Sequence, residues 1–197
     1  MSRLVLASTS RYRRNLLARL ALPFSTLAPG IDESERPGEP PAALAARLAL
    51  AKARSAAAPG RLVIGSDQVA ALEGHVLRKP GSHARALEQL VDCCGRCVDF
   101  HTAAAIVDAD SDRVWQTVDL TRVHFAAHDI GVLDAYLRAE RPYDCAGGFK
   151  AEGLGIALFE RIESQDPTAL VGLPLIWVAA TLRAAGVEPL APAAASC

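Results

Sequence analysis

The sequence lacks the features that mark membrane, secreted or nucleic-acid-binding proteins. Its formal net charge is −1, whereas a general nucleic-acid binder carries a basic excess. The longest apolar stretch, residues 169–182, is interrupted by Gly172 and Pro174. It falls short of the roughly 20 residues that a membrane-spanning helix needs. The apolar run Leu4 to Ala7 is too short for a signal peptide. We therefore expect a cytoplasmic protein that binds neither nucleic acid nor membranes.

The sequence also lacks the cysteine and histidine spacing of a disulfide framework or a zinc site. The five cysteines are an odd number without regular spacing, which is typical of reduced thiols. Cys94 and Cys97 form a C-x-x-C, but no second Cys or His pair stands at zinc-ligand spacing. The five histidines show no ligand spacing either, and we assign them no role.

What is present is a compact, alanine-rich chain in which strands and helices are mixed. It has 197 residues, 51% of them hydrophobic, enough for one sizeable core or two small lobes. No internal repeat or linker interrupts it. The fold class that we predict is α/β with a mixed sheet and two lobes around a central groove. A single domain is expected over residues 1–190, with the middle segment as the second lobe and a flexible tail at 191–197.

Apolar periodicity and capping residues predict the secondary structure. Helices are expected over residues 11–20, 41–57, from Ser82 to Gly95, over 129–140, and from Pro174 to about Gly186. Strands are expected over residues 4–7, 61–68, 98–107, 114–125 and 156–162, with a hairpin turn at Glu73-Gly74.

The first candidate site is the strand, turn and helix at Leu4 to Arg14. Free N–H groups at a helix N-terminus attract phosphate. Ser8 and Ser10 add hydroxyl groups, and Arg13 adds a planar guanidinium suited to phosphate oxygens. The same residues also fit an ordinary helix cap with a solvated basic face. The local sequence leaves both interpretations open.

The second and third candidates are a helical lysine and, separately, an acid that follows a strand. Leu44 and Leu48 define the buried stripe of the second helix, and Lys52 is next on that stripe. A lysine there must either extend its ammonium to solvent or meet an anion. Asp67, with Gln68, is placed at the end of a strand, where sites gather in α/β sheets. Asp67 could hold a cation, accept a proton from water, or cap a turn.

A glycine-rich stretch at residues 147–155 is the fourth candidate. Its glycines let the backbone approach a ligand closely. Lys150 and Glu152 alternate along what we expect to be an extended piece, so both would face the same side. A glycine-rich turn with two solvated charges is the alternative. Glu33 and Lys79 lie in loops, and together these basic and acidic residues suit a polyphosphate with a metal ion or base.

These motifs together resemble the Maf family. The matching blocks are L-A-S-T-S-x-x-R-R-x-L-L, D-E, G-S-D-Q-V, K-P, C-A-G-G-F-K-A-E-G-L-G-I and D-P-T-A-L-V-G-L-P. They follow family order from about Leu4 to Leu190. The serine turn is followed by Arg11 where the family usually has proline, which alters how the first helix begins.

The resemblance implies a fold of the Maf and inosine triphosphatase type and a cytoplasmic nucleoside triphosphate pyrophosphatase. It implies a divalent cation, Mg²⁺ or Mn²⁺, and by analogy a homodimer. Asp67 takes the proton-acceptor position, and Glu33 and Asp67 are the expected metal ligands. The expected phosphate-binding residues are Ser8, Ser10, Arg13, Lys52, Lys79 and Lys150.

Three residues point to one subgroup of the family. Tyr12, Gln68 and Glu152 resemble the subgroup that takes 7-methyl-GTP rather than the one that takes dTTP and UTP. Guanine presents two adjacent N–H donors that a carboxylate accepts as a pair, and N7 methylation makes the ring cationic, which favours stacking on tyrosine. Alternatives are a pyrophosphatase for dTTP, UTP or another modified nucleotide, and a non-catalytic nucleotide-binding regulator of cell division.

Overall fold

The computed structural model describes residues 3–190 and has one mixed sheet flanked by helices. The strands are β1 (Leu4–Ala7), β2 (Phe24–Leu27), β3 (Leu62–Leu72), β4 (His75–Leu77), β5 (Cys97–Asp108), β6 (Arg113–Phe125) and β7 (Phe159–Glu163). The helices are α1 (Arg11–Ala18), α2 (Pro41–Ser55), α3 (His83–Cys93), α4 (Ile130–Glu140) and α5 (Leu175–Ala184). The predicted α/β class is confirmed.

The sheet order is β2-β1-β3-β5-β6-β7, and β4 pairs with part of β3. β1 runs parallel to both β2 and β3, whereas the pairs β3–β4, β3–β5, β5–β6 and β6–β7 are antiparallel. The sheet is therefore mixed, as predicted. Within residues 3–190, no helix is long and apolar enough to cross a membrane.

Three apolar clusters pack against the long central strands. Successive residues of β3 face opposite sides, so that Val63 packs with α2 and Ile64 packs with α1 and α5. The third cluster lies toward the other end of β3, where Leu72 packs with α3 and α4 and with Phe149. β3 and β5 thus contribute residues to all three clusters, and the residues of β3 between the clusters at its two ends are available to line a groove.

Two helix starts follow from serine caps that the sequence predicts. The Ser10 hydroxyl accepts from the backbone N–H of Arg13 at the start of α1, and the Ser82 hydroxyl accepts from that of Arg85 at the start of α3. Pro41 occupies the first position of α2, where its missing N–H costs nothing.

Two strand predictions need correction. The strand expected to end at residues 66–68 continues to Leu72, because the apolar run Val69 to Leu72 goes on pairing with β5. The strand expected over 156–162 begins instead at Phe159, after a 3₁₀ turn over Leu154–Leu158. Gly155 lies directly against the carbonyl of Lys150, which favours a compact turn. The tail prediction for 191–197 falls outside the described residues.

The contact between α2 and β3 depends on a glycine. A Cβ at Gly65 would overlap the carbonyl oxygen of Ala49 and lie 2.5 Å from the backbone nitrogen of Ala53. The helix therefore lies closer to this strand than any larger residue would permit. That close packing brings the next turn of α2, with Lys52, over the middle of β3.

Candidate active site

Two adjoining cavities, of about 470 and 190 Å³, form one groove across the middle of β3. Six residues line both cavities and so mark the middle of the groove: Ser10, Tyr12, Arg13, Gln68, Lys79 and Asp144. The larger cavity continues to Lys52, Asp67 and Glu33, and we call it the Lys52 end. The smaller cavity continues to Glu152, and we call it the Glu152 end.

At the Lys52 end, one lysine joins two carboxylates. Lys52 Nζ donates to Asp67 Oδ1 over 2.6 Å and lies 2.8 Å from Glu33 Oε1. The Lys52 side chain is 7% exposed and that of Asp67 is 10% exposed, whereas Glu33 is 56% exposed. The sequence predicted that the Lys52 ammonium either extends to solvent or contacts an anion. The structure shows that it contacts two carboxylates.

Asp67 does not lie at a strand end, as the sequence suggested, but inside β3. The site nevertheless lies at the end of a strand. The neighbouring parallel strand β1 stops at Ala7, which pairs with Gly65. Asp67 therefore stands two residues beyond the carboxyl end of β1, in the position where parallel sheets place ligands.

The turn after β1 provides both a helix cap and a set of polar groups. Ser8 Oγ accepts from the Ser10 N–H, while the Ser10 hydroxyl caps α1. Arg13 Nε donates to the carbonyl of Gly172 over 2.9 Å, and among the described residues its terminal nitrogens have no partner. Burial lowers the pKa of Arg13, opposed by the carboxylates of Asp67 and Glu33. A guanidinium remains charged after such a shift because its ordinary pKa is so high.

Gln68 lies between the two ends and is held by its amide nitrogen. Its Nε2 is 2.9 Å from Thr102 Oγ1, 3.1 Å from Ala169 O and 2.9 Å from Leu170 O. These three groups are acceptors for Gln68, so its amide nitrogen faces the protein framework.

The Glu152 end combines a carboxylate with aromatic rings. Phe100 and Phe149 line it and meet edge to face, with ring centroids 5.4 Å apart. Burial raises the pKa of the Cys145 thiol to about 12, so this lining group is neutral at physiological pH. The Glu152 side chain has no hydrogen-bond or ion-pair partner within residues 3–190.

The Tyr12 ring is already in contact with a cation. The guanidinium of Arg11 lies 4.8 Å from the ring centroid, and Arg11 Nη2 donates to the tyrosine hydroxyl over 2.8 Å. Arg11 is the residue that stands in place of the family's usual proline. A base that stacks on Tyr12 therefore meets a ring that has Arg11 on one face.

Lys150 is not where the sequence predicted. Residues 150–153 form a turn closed by the Gly153 N–H and the Lys150 carbonyl, not an extended piece. Lys150 Nζ donates to Glu140 O over 3.3 Å and lies 3.6 Å from Glu140 Oε1, outside the groove lining. Glu152 lines the groove, so the two side chains do not share a side. The turn conformation, which a glycine-rich stretch permits, explains the difference.

Several lining residues were not singled out from the sequence. They are Phe100, Asp144, Cys145, Phe149 and the segment Leu170 to Gly172. The D-P-T-A-L-V-G-L-P motif was the available signal for that segment. Asp166 holds it by accepting from the Thr168 N–H and hydroxyl and from the Ile176 N–H at the start of α5.

The two carboxylates at the Lys52 end are oxygen donors of the kind that hard divalent cations take. Asp67 and Glu33 converge on one ammonium, so their carboxylates already share a position of positive charge. Mg²⁺ is commonly held by one or two carboxylates together with substrate phosphates and water. Two carboxylates are therefore enough to hold Mg²⁺ when a polyphosphate supplies further oxygen ligands.

A larger cavity of about 770 Å³ lies elsewhere, between β6 and α5. Its charged lining includes Asp119, Glu163 and Asp166 with Arg122. Burial, with a smaller effect of Asp166, raises the pKa of Asp119. This excess of acids disfavours a polyphosphate, so the groove across β3 is the better candidate.

The groove thus brings cationic side chains, carboxylates and aromatic rings together in an α/β protein with a mixed sheet. The family model of the Maf-like proteins matches residues 3–185, and the chain belongs to this family. The chain is 56% identical over 188 residues to a 7-methyl-GTP pyrophosphatase of Burkholderia orbicola, covering 93% of this chain and 90% of that protein. It is 54% identical to a 7-methyl-GTP pyrophosphatase of Xanthomonas axonopodis pv. citri, covering 95% of this chain and 99% of the relative.

A solved structure shares the fold at low sequence identity. The HAM1 protein from Coxiella burnetii superposes with a TM-score of 0.53 and is 15% identical, with 93% of this chain and all of that chain covered. The likeness supports the predicted inosine triphosphatase type of fold.

Proposed function

We propose that this protein hydrolyses 7-methyl-GTP to 7-methyl-GMP and pyrophosphate. The observation that carries the proposal is the single groove that joins the Lys52–Asp67–Glu33 cluster to a pocket with an unpaired carboxylate, Glu152. The names of the relatives support the same substrate.

The triphosphate would occupy the Lys52 end. The free nitrogens of Arg13, the Lys79 ammonium and the N-terminal turn of α1 offer donors to phosphate oxygens. Lys150 would contribute only after its ammonium leaves Glu140. This arrangement would put positive charge where the departing pyrophosphate gains negative charge.

Asp67 would accept the proton of the attacking water. It is nearly buried, and Lys52 holds one of its oxygens in place. Water then attacks the α-phosphorus, the bond to the bridging oxygen breaks, and pyrophosphate leaves with the electron pair. A divalent cation held by Asp67 and Glu33 would supply charge neutralisation and polarisation of phosphate oxygens.

The Glu152 end would select the base. The Glu152 carboxylate accepts the paired N–H donors of guanine and repels the carbonyl oxygens that flank the single N–H of uracil. The positive charge that N7 methylation adds is favoured beside this carboxylate and beside the Tyr12 ring.

A nucleotide panel with identified products tests the proposal. Pure protein is incubated with Mg²⁺ or Mn²⁺ and 7-methyl-GTP, GTP, ITP, dTTP or UTP, and kcat/KM is compared. We expect 7-methyl-GTP to be preferred over GTP and both over dTTP and UTP, with pyrophosphate as product and no turnover in EDTA. A preference for dTTP would contradict the substrate. Tight binding without pyrophosphate release would indicate a regulator instead.

A further inference from the structure

The orientation of the Gln68 side chain is fixed by hydrogen bonds to β5 and to the segment Ala169–Leu170. Its Nε2 meets three acceptors, Thr102 Oγ1, Ala169 O and Leu170 O, within 3.1 Å. Reversing the amide would set its carbonyl oxygen against two other carbonyl oxygens, which cannot donate. The oxygen of Gln68 is therefore the polar atom left for the groove.

Toward Gln68, the Thr102 hydroxyl can only accept a hydrogen bond. The two residues are direct cross-strand partners on β5 and β3, and Thr102 is fully buried. The Thr102 hydroxyl donates its hydrogen to Ala169 O over 3.0 Å. Toward Gln68 it therefore offers a lone pair, which accepts one N–H of the amide.

We propose that Thr102 is a positioning residue for base selection. With the carbonyls of Ala169 and Leu170, it turns Gln68 so that the groove receives an oxygen and not an N–H. Across residues 3–190, Gln68 Oε1 accepts no hydrogen bond, and Glu152 lines the same cavity. The base therefore meets two acceptors, which suits the adjacent donors of guanine and disfavours the carbonyls of uracil.

The inference rests on nucleotide binding in this groove as proposed above, but it can be measured without turnover. The probes are the α,β-methylene analogues of GTP and UTP, whose α–β bridge cannot be hydrolysed, and calorimetry with Mg²⁺ gives the ratio of their dissociation constants. The variants are Thr102→Val, which keeps the side-chain shape, Thr102→Ser, Gln68→Met, and the Thr102→Val/Gln68→Met pair.

We expect Thr102→Val to reduce the preference for the guanine analogue about tenfold: the carbonyls of Ala169 and Leu170 still exclude the reversed amide, but the amide loses the hydrogen bond to β5 that fixes the position of its oxygen in the groove. Thr102→Ser should restore it. Ala169 O keeps a donor in Thr102→Val because Gln68 Nε2 also reaches it. Gln68→Met should lose a similar amount, and the paired variant no more, because Thr102 acts through Gln68.

An unchanged ratio in Thr102→Val, or losses that add in the paired variant, would overturn the inference. A purely structural role would weaken both analogues equally and leave their ratio intact. If Thr102→Val does not fold, Thr102→Ala is measured with the same expectation. Absence of 7-methyl-GTP hydrolysis by the unaltered protein would contradict the proposed function and leave this ratio readable.

Discussion

Lys52 Nζ lies 2.6 Å from Asp67 Oδ1, with both side chains nearly buried between α2 and β3. Burying two charges is costly, and such a pair often adds little stability over an apolar replacement. Its presence at one end of a groove is therefore better explained by the chemistry of a bound ligand than by folding.

Asp67→Asn should reduce kcat for 7-methyl-GTP by about 10³-fold, because an amide cannot take the proton of the attacking water. The variant keeps the size of the side chain and an oxygen that can accept from Lys52, so its thermal unfolding midpoint in EDTA should stay close to that of the unaltered protein. Turnover within a few-fold of normal would remove Asp67 from the proton-accepting role.

Lys52→Met should destabilise the protein in EDTA by about 3 kcal/mol, because it leaves the buried Asp67 carboxylate facing Glu33 without a cation. Added Mn²⁺ should then raise the unfolding midpoint more in this variant than in the unaltered protein. Arg54→Met is the matched control, since Arg54 is exposed on the same helix. If Mn²⁺ stabilises both variants equally, the two carboxylates do not hold the metal.

Glu152→Gln should reduce the kcat/KM preference for 7-methyl-GTP over UTP about tenfold, because a neutral amide no longer accepts both guanine donors. Glu160→Gln, which alters an exposed acid outside the groove lining, provides the control. An unaltered ranking of nucleotides in Glu152→Gln would show that this carboxylate does not read the base.

The loop that carries Glu33 should lose one anchor in acid. Arg47 forms two 2.6 Å hydrogen bonds to Glu39 and a third to Ser34 O, and the hydrogen bonds from Arg47 lower the pKa of Glu39 to about 2. A lowered folded-state pKa adds stability above the ordinary value of 4.5, and this is lost as pH falls toward 2.

Comparing unfolding midpoints of the unaltered protein and Glu39→Gln from pH 7 to pH 2 tests this anchor. The difference should be constant above about pH 4.5 and should shrink as the pH approaches 2. A difference that stays the same throughout would show that Glu39 stabilises the loop by packing and not by its charge.

Local patterns account for the parts of the fold that the sequence predicted. Helix α2 carries leucines four residues apart, and Lys52 continues that stripe, so its burial follows from spacing alone. The serine caps of α1 and α3 are equally local. For Lys52 and the capping serines, the position along a single helix or turn is enough to predict where the side chain lies.

Contacts between distant segments account for what was missed. Asp67 lies at a site because β1 stops beside it, and that end depends on strand pairing. The orientation of Gln68 depends on carbonyls more than a hundred residues later. Lys150 turns toward Glu140, which also accepts from the Leu154 N–H, and a glycine-rich stretch has no periodicity to reveal such a turn.

Gly65→Ala should damage both stability and activity, although Gly65 does not itself line either cavity of the groove. Its new Cβ would overlap the Ala49 carbonyl and push α2 away from β3, at a cost of about 3 kcal/mol or more. The same shift would lengthen the distance from Lys52 to Asp67 and lower kcat.

Gly131→Ala is the matched control for that shift. A Cβ at Gly131 has no heavy atom within 4 Å, and alanine is favoured over glycine inside α4, so stability should be unchanged or slightly raised. Unfolding midpoints and kcat are measured for both variants. If Gly65→Ala keeps normal kcat despite a lowered midpoint, the position of α2 does not set the Lys52–Asp67 contact that turnover needs.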